Sequence, residues 1–267
     1  MAVQVLSPSR HRHLRWRRFN SYVHANRNSL VGLAAAEVSK AALALPLTFT
    51  NQQGQWSLCA LLGFVPGQNL YVTPDGQWIG AYIPATLRAH PFHLGWEGTD
   101  ANLCIDEDSG LLVSDGSGEP IFSEKGGLSD SVEQVWNFLS QTADSLLALE
   151  EACGVLAAAG VIEPWPISVQ TAEGSRPLSG LHRINEAALN GMDDATFGNL
   201  RRAGVVGVAY AQLLSMGNLA DLGKLAPARA DAWAYADAAA RAQAEQPPMV
   251  NLPTDSTIDW DWSKVGR

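Results

Sequence analysis

Between Asn69 and Leu94 the chain reads NLYVTPDGQWIGAYIPATLRAHPFHL, and its prolines limit every element that can form there. Proline fixes φ and removes a backbone donor, so no helix interior or central strand runs through Pro74, Pro84 or Pro91. The sequence between these stops predicts short strands at Leu70–Val72 and Trp78–Ile83. Thr73-Pro74-Asp75-Gly76 predicts the turn joining them, because proline presets its second position and glycine accepts the φ that closes it. Arg88 to Phe92 then leaves through a second break at Pro91. A chain organised around this stretch is expected to build short antiparallel strands here.

The flanking sequence extends that reading. Leu47–Thr50 alternates after Pro46, NQQG makes a turn, and Trp56–Phe64 alternates again, a hairpin of more than the tightest kind. Together with Asn102–Asp106 these runs predict one meandering antiparallel sheet over residues 46–104. Upstream, GLAAAEVSKAALALP (Gly32–Pro46) suits a short helix ended by Pro46. Downstream, Asp130 and Glu133 stand at capping-box spacing. Val132, Val135, Trp136, Leu139, Ala143, Leu146 and Leu147 share one helical face, predicting a helix to about Glu151. A second hairpin is expected around Glu173-Gly174-Ser175. Helices are then expected at Glu186–Asn190, after Asp193, at Val205–Met216 and over Ala228–Glu245, with a short turn at Asn218–Leu225. The fold class is therefore α+β: mostly antiparallel sheet in the N-terminal half with helices packed against it, and a helical C-terminal part.

Composition divides the 267 residues into a basic arm (1–27), a main domain (28–226) and a C-terminal helix with a tail (227–267). The arm carries six arginines interleaved with His11, His13 and His24. It suits contact with RNA or an acidic partner, or docking on the chain's own acidic surface. The net charge of −9 argues against general nucleic-acid binding outside the arm. Three separated cysteines form no CxxC pair, so neither a disulfide framework nor a zinc knuckle is indicated. No run reaches the ~18–20 apolar residues of a membrane span, and no signal core follows the basic start. A cytoplasmic location is expected. Trp260 and Trp262 in the polar tail are candidate partner-docking residues.

Candidate chemistry is sparse. His90 and His93 with Asp106 form the one metal-ligand set, which would serve a metal-dependent oxygenase or hydrolase. Pro91 forbids a helix between the two histidines, and on a strand their spacing sets them on opposite faces. Arg88 is a candidate ligand or anion contact, expected to pair otherwise with an acid such as Asp75 or Asp106. Neither a GxSxG elbow nor a phosphate-binding glycine loop is present, and no cofactor is indicated.

Several segments carry a resemblance. AAAEVSKAALALPLTF (Ala34–Phe49), ALLGFVPGQNLYVTPDGQWIGAYIPATLRAHPFHL (Ala60–Leu94) and NLCIDEDSG (Asn102–Gly110) resemble the SapC family of bacterial proteins. GEPIF (Gly118–Phe122), LSGLHRINEAALNGM (Leu178–Met192) and LLSMGNLADLGKLA (Leu213–Ala226) continue it. The resemblance brings no catalytic residues. It implies genes found beside flavin-dependent halogenase-like proteins, oxygenases and outer-membrane receptors, and hence an accessory role with a protein partner or by self-association. Some family members carry permease labels, which a chain without membrane spans does not fit. The leading expectation is a non-catalytic binding or accessory protein.

Overall fold

The computed structural model describes residues 3–171 and 174–244. Trp260, Trp262 and the turn at Glu173 lie outside the described residues. The chain opens with β1 (Val3–Val5), α1 (Pro8–His11), β2 (Arg15–Trp16), β3 (Leu30–Gly32) and α2 (Val38–Ala42). The hairpin strands β4 (Leu47–Gln52) and β5 (Gln55–Leu61) follow, then β6 (Phe92–Glu97), β7 (Asp100–Asp106), β8 (Leu112–Val113) and β9 (Glu119–Pro120). The second half holds α3 (Asp130–Ala158), β10 (Ile162–Pro164), β11 (Ser168–Thr171), β12 (Gly174–Pro177) and β13 (His182–Ile184). It ends with α4 (Glu186–Asn190), α5 (Asp194–Arg202), α6 (Val206–Ser215) and α7 (Leu219–Ala244). The fold is α+β, its ladders are antiparallel, and its C-terminal part is helical.

The expected single meander is two sheets. A five-stranded sheet runs β10-β13-β4-β5-β3, and a separate three-stranded sheet runs β1-β7-β6. The segment between β5 and β6 keeps one isolated bridge, Val72 to Trp78, in place of the two expected strands. Side chains hold it instead. Tyr71 stacks on Trp78 with centroids 5.4 Å apart, and a Cβ on Gly80 would lie 2.8 Å from atoms of both rings. The stack therefore requires glycine there. Trp78 Nε1 donates to the Tyr82 carbonyl, and the Tyr82 hydroxyl donates to Glu37 (2.8 Å). Buried Glu37 also accepts the backbone N–H groups of Ala34 and Ala85. Three donors satisfy a carboxylate that would otherwise be costly to bury.

The β4–β5 hairpin is tighter than NQQG suggests. Gln52 pairs with Gln55, leaving Gln53 and Gly54 as a two-residue turn at φ of 53° and 92°. Positive φ at both positions matches the twist of the flanking strands, and glycine adopts it without a steric penalty. The expected helix after Leu30 starts late, because Leu30–Gly32 pairs with Leu61–Cys59 as edge strand β3.

Two apolar cores lie under these sheets. The larger gathers Leu33, Leu47, Phe49, Leu61, Leu149 and Leu222 among its fully or nearly fully buried members, and the smaller centres on Trp16, Phe92, Ile105 and Val132. The long helix α3 serves both. Its first half packs Val135, Trp136 and Leu139 on the small core, and its second half buries Leu149, Cys153 and Leu156 in the large one. That burial carries α3 past Gly154, beyond the expected end near Glu151; tertiary packing outweighs the roughly 1 kcal/mol cost of an interior glycine. Its cap is Ser129, whose hydroxyl accepts the Val132 N–H. Similarly, α7 runs continuously through Pro227, joining the expected turn and helix. Gly223, whose carbonyl loses its partner there, is exposed to solvent.

A buried polar clamp ties α6 to the sheet. Gln212 accepts the Ile184 N–H (2.9 Å) and donates to the Leu47 carbonyl (3.1 Å), while Ser215 accepts the Leu47 N–H. The basic arm is built in by comparable means. β1 adds to β7, and β2 sits between β8 and β9. Arg10 pairs with Glu107, Arg17 with Asp115 and Arg18 with Glu119, so the arm's cations meet the chain's own acids.

Candidate functional site

β3 is an edge of the five-stranded sheet and β6 an edge of the three-stranded one. Two 3-10 turns, Val23–Ala25 from the arm and Ala85–Leu87 from the loop, meet at the seam between those edges. A cavity of about 350 Å³ opens there, lined by His24, Leu30, Val31, Thr86, His90 and His93 among others. Neither sheet makes the site alone.

Each histidine arrives by a different route. His24 lies in the first turn, where its Nε2 donates to the Leu87 carbonyl (3.2 Å) and so joins the two turns. A carbonyl only accepts, so in neutral His24 the proton sits on Nε2 and Nδ1 carries the lone pair. His90 stacks on His24 with centroids 4.0 Å apart and planes 7° from parallel, and Phe19 packs edge-on against both rings. His93 stands on β6. Its neighbour Phe92 points the other way, into the small core against Trp16 at 5.0 Å, as strand alternation requires. The expectation that His90 and His93 face apart is thus overturned. His90 precedes the strand, across the cis His90–Pro91 peptide, and both rings line one cavity.

Electrostatics keep this group uncharged near neutrality. Burial lowers the pKa of His24, opposed in part by the carbonyls of Leu87 and Ser21. Burial and the neighbouring His24 and His93 lower His90 to about 4. Burial also lowers His93, against the pull of Asp106. Neither ring nitrogen of His90 or of His93 has a hydrogen-bond partner among the described residues. Nδ1 of His24 and Nε2 of His93 are closed to water as well.

The metal set expected from sequence does not assemble. Asp106 is buried at the end of β7, where its carboxylate accepts the Asp108 N–H (3.1 Å) and begins the turn Glu107–Ser109. Among the described residues no group of three or more His, Cys, Asp or Glu is placed to hold a metal ion. Arg88 pairs with neither Asp75 nor Asp106. Its guanidinium donates to the Ile83 carbonyl (Nε to O 2.8 Å) and lies 4.9 Å over the Tyr82 ring, so a backbone acceptor and a ring face replace the expected acid. His24, Asn28 and Thr86 complete the cavity and were not singled out by sequence. The His24–His90 pair spans 66 positions (90 − 24), and no local spacing signals it.

The fold and the cavity together define an α+β protein with an imidazole-lined pocket in the seam between two sheets. A family model described as SapC matches residues 6–222, most of the chain, and the chain belongs to the SapC family. The match begins within the arm, in keeping with the strands the arm contributes. No protein of curated function and no solved structure matches the chain. Among the described residues no single helix is long and apolar enough to cross a membrane.

Proposed function

We propose that this SapC-family protein is a non-catalytic binding protein that works with a protein partner in the cytoplasm and holds a small ligand in the His24–His90–His93 pocket. One observation carries the reading: three imidazoles share a cavity, and neither His90 nor His93 has a hydrogen-bond partner for its ring nitrogens among the described residues. A ligand in the cavity that pairs with the imidazole nitrogens open to it gains hydrogen bonds worth about 0.5–1.5 kcal/mol each. Groups poised this way favour binding.

The partner class that the SapC resemblance implies is a flavin-dependent halogenase-like protein or an oxygenase. Leu43 after α2 and Leu214 on α6, large apolar side chains more than three-quarters exposed, are the positions offered for partner contact. Native mass spectrometry of the protein gently purified from its own cells tests the reading. The expected spectrum shows the chain with a partner and a small added mass, the latter lost in His90→Phe. A bare chain under these conditions, for both proteins, contradicts it.

A further inference from the structure

We propose that the seam pocket selects an uncharged, planar-sized ligand that both donates and accepts hydrogen bonds, such as a primary amide or lactam, and discriminates against acids and bases of the same shape. The inference rests on the binding reading above and narrows it to a ligand class.

Charge is the first argument. Among the described residues no Asp, Glu, Lys or Arg lines the cavity. Among the described residues the one carboxylate acting on His90 and His93 is Asp106, which is buried and engaged with the Asp108 N–H. A cation entering the pocket would leave water without meeting a counter-charge. An anion would find neutral N–H and O–H donors but no positive charge, since burial opposes protonation of each of the three rings. Moving an unmatched charge out of water is far costlier than moving a neutral amide that finds hydrogen bonds.

Hydrogen-bond inventory is the second. A neutral imidazole offers one N–H and one lone pair. His90 has no hydrogen bond at either ring nitrogen among the described residues, and His93 has none at Nδ1, so the pair presents donors and acceptors together although His93 Nε2 is closed to water. Thr86 and Asn28, also on the wall, add the same mixed character. A ligand with only acceptors or only donors would leave part of this set unpaired. Leu30, Val31 and Leu87 supply the apolar remainder. At about 350 Å³ the cavity is at the small end of ligand sites, which span roughly 300–1,000 Å³.

An isosteric series tests the class: benzamide, benzoate and benzamidine, titrated at pH 7.5 into full-length protein labelled with ¹³C at histidine. The expected result is saturable shifts of the His24, His90 and His93 ring signals with benzamide. Benzoate and benzamidine should bind at least about tenfold more weakly, the factor set by 1.4 kcal/mol of unmatched desolvation. His90→Phe, which keeps a ring against His24 and Phe19, should abolish the benzamide shifts. If either charged analogue binds as well as benzamide, the ligand class is wrong while the pocket stands as a binding site. If none of the three moves these signals, the pocket reading fails along with it. Benzamide shifts that persist in His90→Phe also overturn the proposal, by placing the binding elsewhere.

Discussion

His90 is where local chemistry is most unusual, and its environment makes a pH prediction with a definite sign. An imidazole held near 4 in the folded state binds protons less tightly than in the unfolded chain, where the ordinary value is 6.5. The unfolded state therefore takes up more protons between those values, and stability falls as pH is lowered from about 6.5 towards 4. His24 and His93, shifted the same way, steepen the decline. Denaturation midpoints at pH 7.5, 6 and 5 should drop in sequence, and His90→Phe should flatten the slope. A second residue-scale test concerns Gln212, fully buried between Ile184 and Leu47. Gln212→Leu fills the same space but strands a backbone N–H and a carbonyl, so it should cost about 2–4 kcal/mol in chemical denaturation.

At the scale of elements, the β4–β5 turn offers a stabilising change. Gln53 is the one non-glycine residue at positive φ among the described residues. Gln53→Asn suits that conformation better and should add about 0.5 kcal/mol, whereas Gly54→Ala should cost about 1 kcal/mol, both read from thermal midpoints. Elements also show what sequence could and could not convey. Helices with strong local signals were legible: Asn185 caps α4 and Asp193 caps α5 as their spacing indicates. The boundaries of α3 and α7 were not, because Cys153 and Leu156 are held by distant core residues that no local rule sees. The Asn69–Leu94 stretch misled in an instructive way. Its prolines and glycines correctly marked short segments, but Tyr71, Trp78, Tyr82 and Glu37 stabilise it through side chains rather than through a ladder. The pocket was half legible. His90 and His93 stood out, while His24 looked like one more basic residue of the arm until the fold brought it against them.

At the scale of the molecule, the arm is an integral layer. Trp16 is buried against Phe92 and β1 closes the edge of β7, whereas the arm's arginine ion pairs are solvent-screened and contribute little. Deleting residues 1–20 should therefore lower the melting temperature by on the order of 10 °C, the effect of losing a buried tryptophan. Arg18→Gln should leave it nearly unchanged. The arm, the 62–91 loop and the two sheet edges thus converge on the three histidines, and the central claim is that these form one uncharged binding pocket. Site-resolved NMR titration of the histidines measures this most directly. His90 should protonate near pH 4, with His24 and His93 also below 6.5 and each shifting as its neighbours titrate. Three independent titrations at or above 6.5 would contradict the claim, because the rings would then be solvated, charged in mild acid and unable to act as a single neutral site.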